Sequence, residues 1–415
     1  MSDIAVHKIT DYDRTVSCPP DKSVSVRAVI LGAAATGVTA IENLSDCDDV
    51  KSALSCVMRL GAKVDVSGGR TYIEGLGGKR YNGGTLDCGN SALTARLLAG
   101  LLSGVSGEFT LTGDDSLRNR PMLRVIDPLV SMGARIEHEN GRLPITITGG
   151  ELCGIDCALP VASAQVKSAI LLAGLNAAGR TRVTESVKTR DHTEAMLSAM
   201  GASVTVDGLS VSVERSVPRA IDISVAGDAS AAVYPICLAL MTGGRCEVRG
   251  VDINPTRTEY LRVLEDTGAK ISVNARGGVA DIIAERGATE LKPFDISGVR
   301  VAKTIDELPA LCALACFIGG VSAISGAEEL RVKESDRIKN TVAALCALGA
   351  DATETRDGIV VRSGDLSFGT VDPLGDHRIA MSAAIAAAAG NGGIIKNGGC
   401  VSVSYPHFYD EVLDV

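Results

Sequence analysis

Two patterns of apolar and polar positions alternate along the chain. The first is an Ala/Leu-rich run that ends at a glycine and leads into a β-like stretch, as in "LLSGVSGEFTLTG". The second is an amphipathic stretch that ends in Gly-Ala and leads into alternating residues, as in "LSAMGASVTVDGLSVSVER". Both recur at steps of about seventy residues, which indicates a repeat architecture. The glycines are Gly37, Gly104, Gly179, Gly244, Gly320 and Gly393 for the first pattern, and Gly61, Gly133, Gly201, Gly268 and Gly349 for the second.

One repeat predicts an apolar helix, a strand, an amphipathic helix and two strands joined by a tight turn. The chain has six apolar helices but only five Gly-Ala pairs, so its two ends should complete one repeat together. We therefore expect an α/β protein with two lobes of three repeats. Lobe one would comprise residues 1–17 and 229–415, and lobe two residues 18–228, with crossings near Cys18 and Asp228. The apolar helices should be buried at the centre of each lobe, and the amphipathic helices should lie outside.

Composition narrows the function classes. The net charge of −9 argues against a protein that coats nucleic acid. No unbroken apolar stretch of twenty residues predicts a membrane span, and the N-terminal "MSDIAVHKITDYDR" does not have the form of a signal peptide. The twelve cysteines form no CxxC pair and the five histidines no metal-binding spacing, which predicts buried reduced thiols and no metal site. The absence of Walker and Rossmann motifs leaves ATP and NAD unsupported. A cytoplasmic protein is expected.

Polar clusters precede all six apolar helices. Residues such as Asn90, Ser163, Asp228 and Asp376 are ordinary N-cap types. Because the six clusters occupy the same place in six repeats, they favour a cleft that is lined by helix N-termini and binds anions. The alternative is a solvated network of salt bridges. The clusters read "PPDKSVSVRA", "LDCGNSALTARL", "PVASAQVKSAI", "VAGDASAAVYP", "VAKTIDELPA" and "PLGDHRIAMSAA".

Basic residues accumulate at these clusters and before the outer helices, although the protein is acidic overall. Arginine and lysine side chains suit phosphate and carboxylate oxygens, so a small polyanionic substrate is expected. Acids lie beside them, as proton transfer requires. The basic residues are Lys22, Arg27, Arg96, Arg120, Lys167, Arg190, Lys333, Arg337 and Arg378, and the acids are Asp306, Glu334, Asp336 and Asp376.

The ordered motifs resemble the 5-enolpyruvylshikimate-3-phosphate synthase family over nearly the whole chain. They are "PPDKSVSVRA", "GNSALTAR", "RNRPM", "SAQVKSAILLA", "TRDHTEAML", "GDASAA", "IDELPAL", "LRVKESDRI" and "GDHRIAM". The resemblance implies a two-lobed inverse α/β barrel, in which each lobe has three βαβαββ units around buried parallel helices. It also implies an active site in the cleft between the lobes, which close on substrate.

The family's reaction belongs to the shikimate pathway of aromatic amino-acid biosynthesis. The resemblance implies transfer of the enolpyruvyl group of phosphoenolpyruvate to the 5-hydroxyl of shikimate 3-phosphate. Phosphate leaves through a tetrahedral intermediate, and no metal or organic cofactor takes part. A monomer that binds these two small molecules, and neither nucleic acid nor membrane, is expected.

The resemblance also implies roles for single residues. Asp306 would accept the hydroxyl proton, and Glu334 would protonate and deprotonate the methylene carbon. Lys22 would be the third catalytic residue, because it would contact both substrates and help the proton transfers. The residues expected at shikimate 3-phosphate are Lys22, Ser23, Arg27, Ser163, Gln165, Asp306 and Lys333. Those expected at phosphoenolpyruvate are Lys22, Ala92, Arg120, Gln165, Arg337 and Arg378.

Four positions depart from the family pattern. Ala92 and Leu93 stand where many members have glycine and threonine, Ala164 replaces a serine, and Val403 replaces a lysine. The added methyl of Ala92 should crowd the phosphoenolpyruvate pocket and weaken the binding of glyphosate, which is bulkier than phosphoenolpyruvate. Ala164 and Val403 each remove one expected substrate contact.

Two alternatives remain at this point. UDP-N-acetylglucosamine enolpyruvyl transferases share the fold and the transferred group. They usually carry a reactive cysteine, sometimes an aspartate, in the loop that here reads "TGDDSLRNRP", which has no cysteine but contains Asp114 and Asp115. A non-catalytic anion-binding protein is the other alternative, and it would not require Asp306 and Glu334.

Overall fold

Helices and strands alternate along the whole computed structural model, which describes residues 2–287 and 290–415. The α-helices are α1 (Lys22–Ala34), α2 (Asp48–Arg59), α3 (Ala92–Ser103), α4 (Asp115–Asn119), α5 (Leu123–Ser131), α6 (Ala164–Gly174), α7 (His192–Ala199), α8 (Ala229–Thr242), α9 (Glu259–Asp266), α10 (Val299–Thr304), α11 (Leu308–Ala315), α12 (Arg337–Ala347) and α13 (His377–Ala389). Short 3-10 helices cover Glu328–Val332 and Gly398–Val403, and a π-helical turn covers Tyr409–Leu413.

The strands are short and follow the predicted repeat. They are β1 (Ile4–Val6), β2 (Asp13–Ser17), β3 (Val38–Glu42), β4 (Lys63–Ser67), β5 (Arg70–Glu74), β6 (Gly84–Asp87), β7 (Gly107–Thr112), β8 (Arg135–Glu139), β9 (Arg142–Gly149), β10 (Leu152–Cys153), β11 (Asp156–Ala158), β12 (Ala177–Ala178), β13 (Thr181–Thr184), β14 (Val204–Asp207), β15 (Ser210–Val213), β16 (Asp222–Ser224), β17 (Arg245–Asp252), β18 (Lys270–Arg276), β19 (Val279–Glu285), β20 (Asp295–Ile296), β21 (Val321–Ile324), β22 (Asp351–Glu354), β23 (Ile359–Arg362), β24 (Gly369–Val371) and β25 (Gly393–Ile395).

The chain divides into two units. The discontinuous unit consists of Met1–Asp21 and Ala226–Val415, and the continuous unit consists of Lys22–Val225. The chain passes between the units twice. Cys18 and Asp228, near which the sequence places the crossings, lie a few residues from these limits. Each unit has its own hydrophobic core.

Three helices form the centre of each unit. Nearly every residue of α1, α3 and α6 is buried in the continuous unit, and the same holds for α8, α11 and α13 in the discontinuous unit. These are the six apolar helices of the sequence pattern, and their predicted burial is confirmed. Helices that are apolar on all sides have no polar face to turn to water, so they pack at the centre.

The amphipathic helices bury one face only. In α2, for example, Val50, Ala53 and Val57 are buried, whereas Lys51 is exposed. Each amphipathic helix ends at a Gly-Ala pair whose glycine has a positive φ, a conformation that glycine adopts without strain. The five φ angles are 109° at Gly61, 105° at Gly133, 77° at Gly201, 97° at Gly268 and 88° at Gly349. The recurring glycines are therefore helix terminators.

Each unit contains three main sheets, and the five that have four strands share one topology. Two parallel strands are followed by an antiparallel hairpin, as in β6-β7-β9-β8, where β6 pairs parallel with β7 and β9 pairs antiparallel with β7 and β8. The other four-stranded sheets have the orders β16-β3-β5-β4, β11-β13-β15-β14, β18-β19-β17-β2 and β20-β21-β23-β22, and the sixth sheet is β1-β25-β24. The four-stranded sheets agree with the βαβαββ unit that the resemblance implies.

The two chain ends share one sheet, as predicted. Ile4 in β1 lies opposite Ile395 in β25, and the two strands are antiparallel. The sequence did not predict that a second sheet would also join two distant segments of the chain. Strand β16, which precedes the second crossing, pairs parallel with β3, so that Asp222 lies opposite Ala40. The first sheet of the continuous unit is therefore completed by the last strand of that unit.

Candidate functional site

Polar side chains cap the N-terminal ends of four buried helices. Each side-chain oxygen accepts a hydrogen bond from a backbone N–H of the first turn, which would otherwise lack a helical partner. The caps are Ser91 on α3, Ser163 on α6, Asp228 on α8 and Asp376 on α13, with donor–acceptor distances of 3.3, 3.4, 2.8 and 3.0 Å. The cap predicted at Asn90 is wrong, because α3 begins one residue later and Ser91 takes that position.

Five charged side chains form a cluster in the discontinuous unit, at the starts of α12 and α13 and just before α11. They are Asp306, Glu334, Arg337, Asp376 and Arg378, and we call them the acid–arginine cluster. Asp376 binds Arg337 with both oxygens, at 2.8 Å from Nε and 3.1 Å from Nη2. Its Oδ1 also caps α13, so one carboxylate orients both a helix and a guanidinium.

The two acids predicted to be catalytic share Arg337. Asp306 Oδ1 lies 3.4 Å from Nη1 of Arg337, and Glu334 Oε2 lies 2.6 Å from Nη2. Their side chains keep 14% and 18% of their surface exposed, whereas Arg337 keeps 1%. The cluster therefore offers two carboxylates toward solvent and holds them on a buried cation.

Arg378 completes the cluster. Its Nη1 donates to the backbone oxygen of Asp306 at 3.1 Å, and its Nη2 lies 3.7 Å from Oδ2 of the same residue. Burial alone would lower the pKa of Arg337 and Arg378, but the neighbouring carboxylates, chiefly Asp376 and Asp306 respectively, raise it above the ordinary value. Both guanidinium groups are therefore permanently charged. Lys333 directly follows the 3-10 helix Glu328–Val332.

In the continuous unit, Lys22, Ser23 and Arg27 share the first turns of α1. Lys22 Nζ forms a salt bridge with Asp49 of α2 at 3.0 Å. Asp49 is a partner that no motif in the sequence indicated. The acidic first turn of α2 was visible in "DCDDV", but nothing in the sequence indicated that Lys22 would be its partner.

Arg27 is buried against other side chains of the same unit. Its Nε donates to Oγ1 of Thr193 at 2.7 Å, and its Nη1 donates to the backbone oxygen of Ser23 at 3.0 Å. A longer contact of 3.4 Å joins Nη2 to Oγ of Ser168. These contacts hold the guanidinium of Arg27 next to Ser23, which lies one helical turn earlier in α1.

Arg120 and the start of α3 are joined through Asn90. Nη1 of Arg120 donates to the backbone oxygen of Asn90 at 3.1 Å, and Nη2 donates to its side-chain oxygen at 2.6 Å. Ala92 is the first residue of α3 and is buried. This double contact brings the guanidinium of Arg120 to the loop that directly precedes Ala92.

Gln165 is held by Arg96, a residue to which the sequence analysis gave no specific role. Nη1 of Arg96 donates to Oε1 of Gln165, and Nη2 donates to the backbone oxygen of Pro121 at 3.2 Å. Arg96 therefore links the start of α6 to the residue after Arg120. Ser163 lies two residues before Gln165 and is partly engaged as the helix cap.

Lys167 does not have the place expected for it. The sequence analysis included it among the basic residues of an anion-binding cleft. Its side chain is instead buried, and its Nζ lies 2.8 Å from Glu185 and 2.7 Å from Glu194. Both partners come from later segments of the same unit, so Lys167 neutralises an internal pair of acids.

Within residues 2–287 and 290–415, no three His, Cys, Asp or Glu side chains lie together as a metal ion would require. No helix in this part of the chain is both long and apolar enough to cross a membrane. All twelve cysteines are unpaired, and eight of them are buried. Cys153 and Cys346 are exposed, contrary to the expectation of uniformly buried thiols.

Comparison with known proteins gives a consistent family. The family model described as EPSP synthase (3-phosphoshikimate 1-carboxyvinyltransferase) matches residues 6–412. A protein of Shouchella clausii (strain KSM-K16) named 3-phosphoshikimate 1-carboxyvinyltransferase is 44% identical over 409 residues, covering 96% of this chain and 95% of that protein. A protein of the same name from Gloeobacter violaceus (strain ATCC 29082 / PCC 7421) is 43% identical over 410 residues, covering 95% of this chain and 94% of its own length.

A solved structure agrees with these relatives. The structure of EPSP synthase from Acinetobacter baumannii superposes with a TM-score of 0.85 and 36% sequence identity. The match covers 100% of this chain and 99% of that one.

Proposed function

The chain belongs to the EPSP synthase family, and on that premise we propose which of its residues carry the family's reaction. The protein is a transferase of the shikimate pathway that moves the enolpyruvyl group of phosphoenolpyruvate onto shikimate 3-phosphate. It has the two-lobed inside-out α/β fold of the family. Transfer to a UDP-linked sugar is not favoured, because the matching family and its named relatives are 3-phosphoshikimate 1-carboxyvinyltransferases.

We propose that Glu334 and Asp306, assisted by Lys22, move the protons of this reaction. The observation that carries the proposal is that both carboxylates bind the buried cation of Arg337 and still reach solvent, so a substrate can contact them. An acid beside a fixed cation is suited to proton transfer at a substrate that carries negative charge.

The proposed reaction is an addition followed by an elimination. Protonated Glu334 gives its proton to the methylene carbon of phosphoenolpyruvate, and the 5-hydroxyl oxygen of shikimate 3-phosphate adds to the adjacent carbon. Asp306 accepts the hydroxyl proton, which leaves a tetrahedral intermediate. The carbon–oxygen bond to phosphate then breaks with its electron pair on the phosphate, which takes the hydroxyl proton back from Asp306 as it leaves. Glu334 takes a proton back from the methyl group, and the enol double bond forms again.

The proposed binding residues are anchored before substrate arrives. Arg337 and Arg378 are held by acids and Arg120 by Asn90, so little ordering is needed when phosphoenolpyruvate binds. We propose that these three arginines, with Lys22, Ala92 and Gln165, form its site. The residues proposed for shikimate 3-phosphate are Lys22, Ser23, Arg27, Ser163, Gln165, Asp306 and Lys333. Lys22 would exchange its partner Asp49 for substrate oxygens.

A phosphate-release assay with alternative acceptors tests the proposal. We expect release with shikimate 3-phosphate and none with UDP-N-acetylglucosamine. Glu334→Gln and Asp306→Asn keep the size of each side chain and remove the proton-transfer group, so each should lower kcat by about 100-fold or more. Glu74→Gln, which changes an exposed acid of β5 paired with Lys63, is the matched control and should leave kcat unchanged. Wild-type kcat in Glu334→Gln would contradict the assignment.

We further propose that the protein acts as a monomer in a reducing compartment such as the cytoplasm. The twelve unpaired thiols support a reducing compartment, because the cysteines of secreted proteins usually form disulfides. Light scattering coupled to size-exclusion chromatography should give the mass of a single chain, with and without both substrates. A dimer mass would contradict the monomer.

A further inference from the structure

A buried arginine outside the proposed substrate site joins four segments of the discontinuous unit. Arg257 lies in the turn between β17 and α9 and keeps only 2% of its surface exposed. Its Nη1 lies 2.7 Å from Oδ2 of Asp21, and its Nη2 lies 2.7 Å from Oδ1 of Asp228. The same Nη2 donates to Oγ of Ser230 at 3.1 Å. Arg257 is therefore too deeply buried to contact a substrate itself.

The two acids come from the two crossing segments, which pair through their backbones. The N–H of Asp21 donates to the carbonyl of Ala226 at 2.8 Å, and the N–H of Asp228 donates to the carbonyl of Pro19 at 2.8 Å. Arg257 spans the side chains on this short antiparallel pair. Burial alone would lower the pKa of Arg257, but Asp21 and Asp228 raise it above the ordinary value, so the guanidinium stays charged.

The contacts of Arg257 extend through Ser230 to the start of α11, and we call Arg257, Asp21, Asp228, Ser230 and Glu307 the Arg257 network. Oγ of Ser230 donates to Oε1 of Glu307, and Glu307 is almost completely buried. Glu307 is the neighbour in sequence of Asp306, the proposed base. Asp21, at the other end of the network, is the neighbour in sequence of Lys22. One guanidinium therefore fixes the residue beside each of two proposed catalytic groups.

We propose that Arg257 is a positioning residue that sets Lys22 through Asp21, and Asp306 through Ser230 and Glu307. The inference rests on the roles proposed above for Lys22 and Asp306. A purely stabilising role is the alternative. Buried ion pairs contribute little net stability compared with apolar packing, so stability alone is a weak reason for this arrangement. The guanidinium fork is needed because a single ammonium cannot reach both carboxylates and the hydroxyl in one plane.

Arg257→Lys is the test, because it keeps the charge and removes the fork. Small displacements of reacting groups cost up to about 100-fold, so we expect kcat to fall by about 10- to 100-fold. The KM for phosphoenolpyruvate should change less than kcat, since its proposed ligands Arg337 and Arg378 are untouched. The KM for shikimate 3-phosphate should rise, because Lys22 and Asp306 are also proposed to bind that substrate. Ile282→Ala is the matched control: it opens a cavity in β19 in the same core and should lower Tm without lowering kcat.

Glu307→Gln tests the contact between Ser230 and Glu307, and it remains as a test if Arg257→Lys does not fold. It keeps an acceptor for Ser230 but removes the charge, and kcat should again fall. In the double variant the two losses should be less than additive, because both act through one network. Wild-type kcat in either single variant that folds, or full additivity, would overturn the proposal.

Lys22→Met and Asp306→Asn are measured in the same assay, which tests the positioning role of Arg257 separately from the catalytic roles of Lys22 and Asp306. If both lose kcat while Arg257→Lys does not, the positioning role fails and the proposed function stands. If both keep kcat, the proposed catalytic roles fail, and the inference that rests on them fails with them.

Discussion

Replacing Asp376 with asparagine measures how far the acid–arginine cluster depends on one buried carboxylate. Both oxygens of Asp376 bind Arg337, and the two side chains keep 0% and 1% of their surface exposed. Asparagine retains one oxygen for the cap of α13 but turns an N–H₂ group toward the guanidinium. Removing one partner of a buried ion pair costs about 3–5 kcal/mol. Because Asp306 and Glu334 still contact Arg337, we expect a loss of about 3 kcal/mol in the free energy of unfolding.

That loss should be visible as a shift in Tm. For a unit of roughly 200 residues, 3 kcal/mol corresponds to a fall of about 6–12 °C. Differential scanning calorimetry measures the shift directly, and urea unfolding at 25 °C gives the free energy. The same variant should raise the KM for phosphoenolpyruvate, because Arg337 loses the carboxylate that orients it.

Asp414→Asn is the matched control. Asp414 also accepts from an arginine of the same unit, with Nη2 of Arg14 at 3.1 Å, but the two side chains are 75% and 35% exposed. Asp414 has a φ of 63°, a conformation that asparagine also tolerates, so the backbone should not be disturbed. We expect a change below about 1 kcal/mol. If the two substitutions cost the same, burial does not govern the strength of these pairs and the reasoning is refuted.

Three further outcomes are expected. Ala92→Gly should strengthen inhibition by glyphosate at least about tenfold, because it removes one methyl from the proposed pocket; an unchanged inhibition constant would contradict this. Lys167→Met should lower the free energy of unfolding in urea by about 3–5 kcal/mol, because it leaves two buried glutamates without their cation. Its control, Lys63→Met at an exposed pair, should change it by less than about 1 kcal/mol, and equal losses would contradict the argument. With a thiol reagent at pH 8, Cys153 and Cys346 should react at once, whereas the eight buried thiols should react only after unfolding. The reagent cannot reach the buried thiols, and burial also raises the pKa of most of them. Fast reaction of a buried thiol would contradict the packing.

The repeat was readable from the sequence because its signals are local. An apolar helix such as α8 has almost no polar position, so it can only lie in a core. A Gly-Ala pair after an amphipathic helix marks the point where the backbone needs a positive φ, as at Gly201. The shared sheet of the chain ends also followed from counting repeats, and Ile4 does lie opposite Ile395.

Helix boundaries were harder to predict than helices. Asn90 and Ser91 are both good cap residues, and only the backbone shows that Ser91 occupies the cap. Asn90 instead receives two hydrogen bonds from Arg120, a residue thirty positions further along the chain. No local pattern contains that pairing.

Local patterns in the chain were enough to predict the repeating helices and strands, the burial of the apolar helices, and the charged residues near their starts. Those properties depend on the periodicity and on the chemistry of neighbouring residues. The partners of the charged side chains became visible only in the folded chain. Folding buried Lys167 between two glutamates, paired Lys22 with Asp49, and placed Arg257 across the two crossing segments. The energy of an ion pair depends on distance and burial, and both are set by folding segments that are far apart in the chain.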